Sequence, residues 1–315
     1  MNTGNTVDLA ALYDRFQGSV LGNDADPALH FFHAPNSICS QKVRTVLHHL
    51  NIPHWSHLID VFHGESYDPL YVRARHAGCK AAGLTLSARH LGTTSVTTSG
   101  CDACVVPTVI DRREGTVLVD SLRICLALDA GQGGVLVPEV LLAEIMAELS
   151  VVDDLPNYQN LAVHVVSDKA PRNAFAASKV ARCDALLAEY GTDPVLREAY
   201  EAKKAKEKWA AEELFEEGAL QIAREAVTSA LDALEERVTG REGPWLFGEQ
   251  ITIADLFWGA ELIRIDDLDG ADVFTKDRLP AVFAWYERLC ALPALKSAIL
   301  EFPQARIGAK PLAQV

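Results

Sequence analysis

Long apolar runs are missing. Nothing in the 315 residues approaches the ~18 uninterrupted apolar positions that mark a membrane-spanning helix. Basic blocks are missing too, and the net charge is −14. That balance argues against a nucleic-acid partner, because phosphate-backbone binding works by replacing counterions with Lys and Arg. The opening MNTGNTVDLAALYDRF carries Asp8 and Asp14 and has no basic segment leading into an apolar one, so no secretory leader is expected. Cysteine is sparse and odd in number: seven, at 39, 79, 101, 104, 125, 183 and 290. So few, so scattered, do not make the disulfide framework of a small secreted domain, and a reducing, cytoplasmic location is expected. CDAC at 101–104 has neither a second CxxC nor a His-x3–5-His partner, so no metal site is expected. His30, His33, His48, His49, His54 and His57 crowd one region without a third ligand at helical spacing, and are expected to be packed or solvated imidazoles. No internal repeat is visible.

What is present is a change of period along the chain. A polar extension over 1–27 ends in the turn-rich GNDADP. ALHFFHA then reads as a short buried strand, and from Ser37 onward Cys39, Val43, Val46, Leu47 and Leu50 recur every three or four residues, one face of a helix. HWSHLIDV reads as a second strand. Residues 64–103, rich in Gly and in the polar run GTTSVTTSG, read as a loop-rich insertion with at most short helices. CVVPTVIDRREGTVLVDSLRICLALD reads as strand, turn, strand, helix. After GQGG the pattern is helical nearly to the end. The run EAKKAKEKWAAEE is expected to be the solvated side of a long helix. The architecture expected is a small α/β domain over 28–130 followed by an all-α domain over 135–315.

Three features bear on chemistry. Pro107 opens a strand, where a residue without an N–H belongs at an edge or at a special peptide bond. Asp120-Ser121 stands at a strand-to-helix turn. There it caps the helix or, with the free amides of the first turn, receives a ligand carrying both a carboxylate and an ammonium. Thr252-x-x-Asp255, flanked by Ile251 and Leu256, is a capping box with its apolar staple, a structural element. Cys39 falls in the first turn of its helix. Free N–H groups there lower a thiol's pKa, and Lys42 and Arg44 would add positive charge. It also lies on the apolar stripe, so core residue and nucleophile both stand open, and Ser37 before it is placed as the N-cap of the helix.

SICSQKVR, VVPTVIDRREGTVLVDSLRICLAL and GPWLFGEQITIADLFW together resemble the cytosolic glutathione transferases over about residues 28–300. Within that family they resemble the glutathione-dependent chlorohydroquinone reductive dehalogenases. The polar extension and the 64–103 insertion depart from the pattern. The resemblance implies a thioredoxin-like first domain, a helical substrate domain and a homodimer, with glutathione as co-substrate and a small halogenated aromatic as substrate. It further implies that Val106 offers its backbone to the cysteinyl part of glutathione beside a cis-Pro107. Asp120 and Ser121 would hold the γ-glutamyl head group, and Cys39 and Ser37 would be catalytic. Asp153 and His164 become candidates for a phenolic hydroxyl, and Cys104 a candidate resolving thiol for Cys39. Two relatives of that chemistry compete with it, reduction of glutathionyl-hydroquinones and cleavage of aryl ethers. A non-enzymatic interaction protein of the same fold is disfavoured by the intact set Cys39, Pro107, Asp120 and Ser121.

Overall fold

The computed structural model describes residues 7–165, 171–268 and 273–307. Its first half is built on a five-stranded sheet of order β1-β3-β2-β4-β5. The strands are β1 (Gly18–Leu21), β2 (Leu29–His33), β3 (His54–Leu58), β4 (Thr108–Asp111) and β5 (Thr116–Val119). Strand β2 runs parallel to β3 and antiparallel to β4, and β1 and β5 close the edges antiparallel to their neighbours. Alternation of side chains across a strand divides the core in two. Phe31 and Val109 face one side, where α2 (Ile38–His49) and α5 (Ser121–Gly131) bury Val43, Val46, Leu47 and Ile124. Phe32 and Ile110 face the other, against Leu12 of α1 (Leu9–Arg15), Phe16 just after it, and Tyr71 and Ala74 of α3 (Pro69–Ala81).

Two stretches differ from the sequence expectation. The extension over 1–27 supplies both α1 and β1: Leu12 and Phe16, one helical turn apart, are buried against the sheet, and Gly18–Leu21 pairs with β3. The region 64–103 is more regular than a loop-rich insertion, because α3 runs for 13 residues from a Pro69 start capped by Asp68. Its Gly78 lets the helix lie close on β5, since a Cβ there would meet Val117 and Val119 atoms at 2.8–2.9 Å. A single turn, α4 (Val96–Ser99), follows.

From residue 142 the chain is helical: α6 (Leu142–Asp153), α7 (Asn157–Val165), α8 (Ala174–Tyr190), α9 (Pro194–Glu213), α10 (Glu217–Gly240), α11 (Ile253–Asp267) and α12 (Pro280–Cys290). Helix α11 is buried nearly all round, and its start is fixed by the expected capping box. The Asp255 carboxylate accepts from the Thr252 and Leu246 amides, both at 2.8 Å. Leu256, Phe257 and Trp258 join the cluster that holds Phe31 and Val46, so one continuous core runs through both halves. Polar bonds follow the same path. Gln41 donates to the Ala305 carbonyl at 2.7 Å and Arg44 to that of Ala298 at 2.5 Å. Arg264 of α11 donates to that of Asn36 at 2.6 Å. No helix among the described residues is long and apolar enough to cross a membrane. The crowded histidines are packed, as expected. His30 bonds His57 at 3.0 Å and His33 bonds Ser56 at 2.8 Å, and burial holds His30 down at about 4.

Candidate active site

One cavity of about 230 Å³ collects all six residues singled out by sequence: Ser37, Cys39, Val106, Pro107, Asp120 and Ser121. Ser37 is the N-cap of α2, and its hydroxyl accepts from the Ser40 amide at 3.3 Å. Cys39 follows in the first turn, half-buried against the core.

The electrostatics of that thiol differ from expectation. Burial pushes Cys39 up to about 11, and the nearby Lys42 ammonium only partly offsets this. Lys42 is itself fully buried and spends its charge on Asp153 at 2.8 Å and Glu261 at 2.9 Å. Arg44 does not face the thiol at all; its guanidinium donates to the carbonyls of Pro35 and Ala298. A helix start and two basic residues in sequence therefore do not make a depressed thiol here, because desolvation outweighs a cation already claimed by two carboxylates. Asp153, a candidate for a phenolic hydroxyl, is bound by Lys42 and by Thr94. His164 lies in α7, in a stretch whose side chains fall outside the described residues.

The Val106–Pro107 bond is cis. Strand β4 begins only at Thr108, so the Val106 N–H and C=O take part in no ladder and have no hydrogen-bond partner among the described residues. The loop that presents them is clamped from α3. Arg75 donates to the carbonyls of Pro107 and Asp102, and the Tyr71 hydroxyl to that of Val105 at 2.8 Å. Sequence pattern does not single out Arg75 and Tyr71, since α3 reads there as at most a short helix within a loop-rich insertion. Asp120 caps α5 from a backbone φ of 72°. Its carboxyl, which accepts from the Arg123 amide at 3.2 Å, is pushed up to about 6 by burial and by the charge of Asp153. The buried Ser121 hydroxyl has no partner of good geometry, yet it lies close enough to the Cys39 thiol to favour its thiolate. A buried carboxyl with a raised pKa, a hydroxyl without a partner of good geometry and an unpaired peptide edge are together suited to receive an amino-acid head group joined to a peptide.

The far end of the cavity overturns one expectation. Within EAKKAKEKWAAEE, Lys203, Lys206 and Glu207 are buried, while Glu201, Lys208 and Glu212 face solvent. They continue the stripe Leu196–Ala199–Tyr200 of α9 at helical spacing. That spacing is the signal by which sequence could have found them. Asp102 joins the same group, 2.8 Å from Lys203. The CDAC segment is no dithiol. Cys101 is bonded to Cys79 on α3, and Cys104 is buried, its thiol pushed well up by desolvation. Among the described residues no group of His, Cys, Asp and Glu is placed to hold a metal ion.

Comparison with known proteins agrees with this geometry. Residues 36–130 match the N-terminal domain of glutathione S-transferases and residues 197–288 the C-terminal domain. The 2,5-dichlorohydroquinone reductive dechlorinase of Sphingobium indicum is 33% identical over 305 residues, 92% of this chain and 88% of the relative. Among solved structures, the beta-etherase LigF from Sphingobium sp. strain SYK-6 superposes with a TM-score of 0.58 at 18% identity, over 86% of this chain and 98% of its own. The glutathione transferase URE2P8 from Phanerochaete chrysosporium, solved with oxidized glutathione, gives 0.56 at 14% identity, over 88% and 95%. A Burkholderia graminis glutathione transferase with two glutathione molecules per subunit gives 0.56 at 16%, over 96% and 98%. The thioredoxin-like sheet, the helical second half and the extended match to the dechlorinase place this chain in the glutathione S-transferase family.

Proposed function

We propose that this protein catalyses glutathione-dependent reductive dehalogenation of halogenated hydroquinones, with Cys39 as the residue that removes glutathione from an aryl thioether. One observation carries the reading: a cysteine in the first turn of α2 shares a cavity with the unpaired Val106 backbone and the Asp120-Ser121 cap. The named activity of the S. indicum relative supports the substrate class. Val106 pairs with the cysteinyl peptide of glutathione beside Pro107. Asp120 takes the γ-glutamyl ammonium, and Ser121 with the first amides of α5 takes its carboxylate.

The chemistry balances with two glutathiones per halide. A ring tautomer with an electrophilic carbon accepts the first glutathione thiolate and loses halide, giving an aryl thioether. The Cys39 thiolate then attacks the glutathionyl sulfur. The S–S bond forms as the aryl–S bond breaks, and the departing ring carbon takes a proton. A second glutathione thiolate attacks that mixed disulfide, releasing oxidised glutathione and restoring Cys39. Ser37 assists from the helix cap by donating its hydroxyl hydrogen to the attacking sulfur. Binding of the head group aids this step, because an ammonium on Asp120 cancels a negative charge that otherwise raises the Cys39 pKa.

The chain is further proposed to divide into an extension at 1–27, a glutathione-binding domain at 28–130 and a substrate domain at 135–315. It would work as a cytoplasmic homodimer.

The test supplies 2,5-dichlorohydroquinone and glutathione and follows chloride, oxidised glutathione and aromatic products together. One oxidised glutathione per chloride is expected. Chloride release without oxidised glutathione would mean conjugation, and thiol oxidation only from a preformed aryl thioether would mean reduction of glutathionyl-hydroquinones. Cys39→Ser should lose halide normally and accumulate the glutathionyl adduct; normal turnover by that variant would remove Cys39 from the mechanism.

A further inference from the structure

Among the described residues, the inner end of the cavity holds more positive charge than its own carboxylates neutralise. Three ammonium groups converge there, Lys179 from α8 and Lys203 and Lys206 from α9, and the described carboxylates they face are Asp102 and Glu207. Lys203 takes both carboxylates, at 2.8 and 2.7 Å. Lys206 is left 3.5 Å from Asp102, and Lys179 3.5 Å from Glu207 and 3.0 Å from the Tyr158 hydroxyl. The carboxylates have further donors of their own: Asp102 accepts the Cys104 amide at 2.8 Å and Glu207 the Tyr158 hydroxyl. Burial pushes Lys179 down to about 8 and lowers Lys206 as well, so both would gain from an added anion. A second observation points to a ligand. Tyr67 lines the same cavity at 4% exposure, and its buried hydroxyl has no hydrogen-bond partner among the described residues. The surrounding walls are flat rings, with His90 stacked on Tyr158 at 4.0 Å and Phe175 beneath the Lys179 ammonium at 4.1 Å.

We propose that Lys179 and Lys206, with the Tyr67 hydroxyl, form an anion subsite for an ionised ring oxygen of the aromatic substrate. The inference rests on the proposed function for the identity of the ring and adds what selects it: aromatic compounds carrying a phenolate or carboxylate oxygen. An excess buried cation is costly until an anion joins it. A phenolate supplies that charge, and its ring suits the aromatic walls. The glycyl carboxylate of glutathione offers the same anionic chemistry, so the test must separate the two sources.

4-Nitrophenol is a suitable probe because its phenolate is coloured, which reads ionisation without turnover. Bound to the full-length wild-type chain, its pKa should fall by at least one unit, a tenfold preference for the anion. Lys206→Met should abolish the shift and weaken probe binding about tenfold or more, and Lys206→Arg should restore both. Glutathione affinity, measured by calorimetry on the same proteins, should stay unchanged. Loss of glutathione affinity with the nitrophenol shift intact would assign the subsite to the glycyl carboxylate and overturn the proposal. So would absence of any shift in wild-type protein. Lys179→Gln, read the same way, supplies a second measurement if Lys206→Met does not fold. A protein that shifts nitrophenol but releases no chloride would retain the subsite and lose the dehalogenase reading.

Discussion

Lys42 is the residue whose removal tests the electrostatic frame of the site most directly. In Lys42→Met the ammonium between Asp153 and Glu261 disappears, leaving two carboxylates at most 4% exposed with no cation between them. Breaking a buried pair by deleting one partner costs about 3–5 kcal/mol. Uptake of a proton by one of the two carboxylates relieves part of that cost and favours the lower end of the range. At a urea slope of about 3 kcal/mol/M, the midpoint should fall by roughly 1 M. Adding Glu261→Gln to Lys42→Met removes one of the stranded charges and should recover part of the loss. The thiol provides a second readout. Lys42 is the main group favouring the Cys39 thiolate, so alkylation of Cys39 by iodoacetamide at pH 8 should slow several-fold in the variant. A midpoint within about 0.3 M of wild type, or unchanged alkylation, would refute the claim that Lys42 is a structural counterion spanning both halves of the chain.

Other outcomes follow from the same structure. The Cys39-dependent step should accelerate with pH beyond the ordinary thiol range, since burial holds the resting thiol at about 11; a plateau by pH 7 in single-turnover cleavage of a preformed thioether would contradict this. Asp120→Asn should raise the glutathione KM about 10- to 100-fold, the worth of one charge-assisted contact, and an unchanged KM would displace the head group from α5. Acid should destabilise the fold through imidazoles that are wholly or partly buried. His30 and His48 are both held at about 4 against an unfolded value near 6.5. The unfolded chain therefore takes up protons first, and stability is complete above pH 6.5 and falls as pH drops toward 4. Denaturant midpoints across that window check it. Leu12→Ala, within the N-terminal extension, should cost about 2–5 kcal/mol because Leu12 is fully buried; a loss below about 0.5 kcal/mol would show that α1 is dispensable.

Legibility in the sequence tracked how local each determinant is. The α2 helix with its Ser37 cap, strands β2, β3 and β5, and the Thr252–Asp255 box depend on residues within a few positions of one another, and their patterns match the structure closely. Pro107 was readable because an imino acid at a strand start restricts its neighbours. The state of Cys39 was not readable. It is set mainly by burial against the core, and the lowering by Lys42 is too small to offset this because that ammonium is paired with Asp153 and Glu261, more than 100 positions away. The α9 lysines were misleading for a related reason: a charge run resembles a solvated face until its i, i+3, i+4 members are sorted from the rest. Helix α3 was legible only as a short helix, because its apolar stripe is brief and lies among glycines and bases, and the Arg75 and Tyr71 clamp on the cis-proline loop was not legible.

The bonds that cross between the halves bear on how such a protein can be re-engineered. Asn36, Gln41, Lys42 and Arg44 are all held by residues from beyond position 150, including the carbonyls of Ala298 and Ala305 close to the end of the described chain. Sheet and helical bundle are therefore not exchangeable cassettes. A chimera joining this sheet to a relative's bundle would keep every side chain proposed to contact glutathione and still lose the shape of the turn that carries Cys39. To inherit the proposed chemistry, a graft has to bring α11 and the stretch around 298–305 along with Cys39.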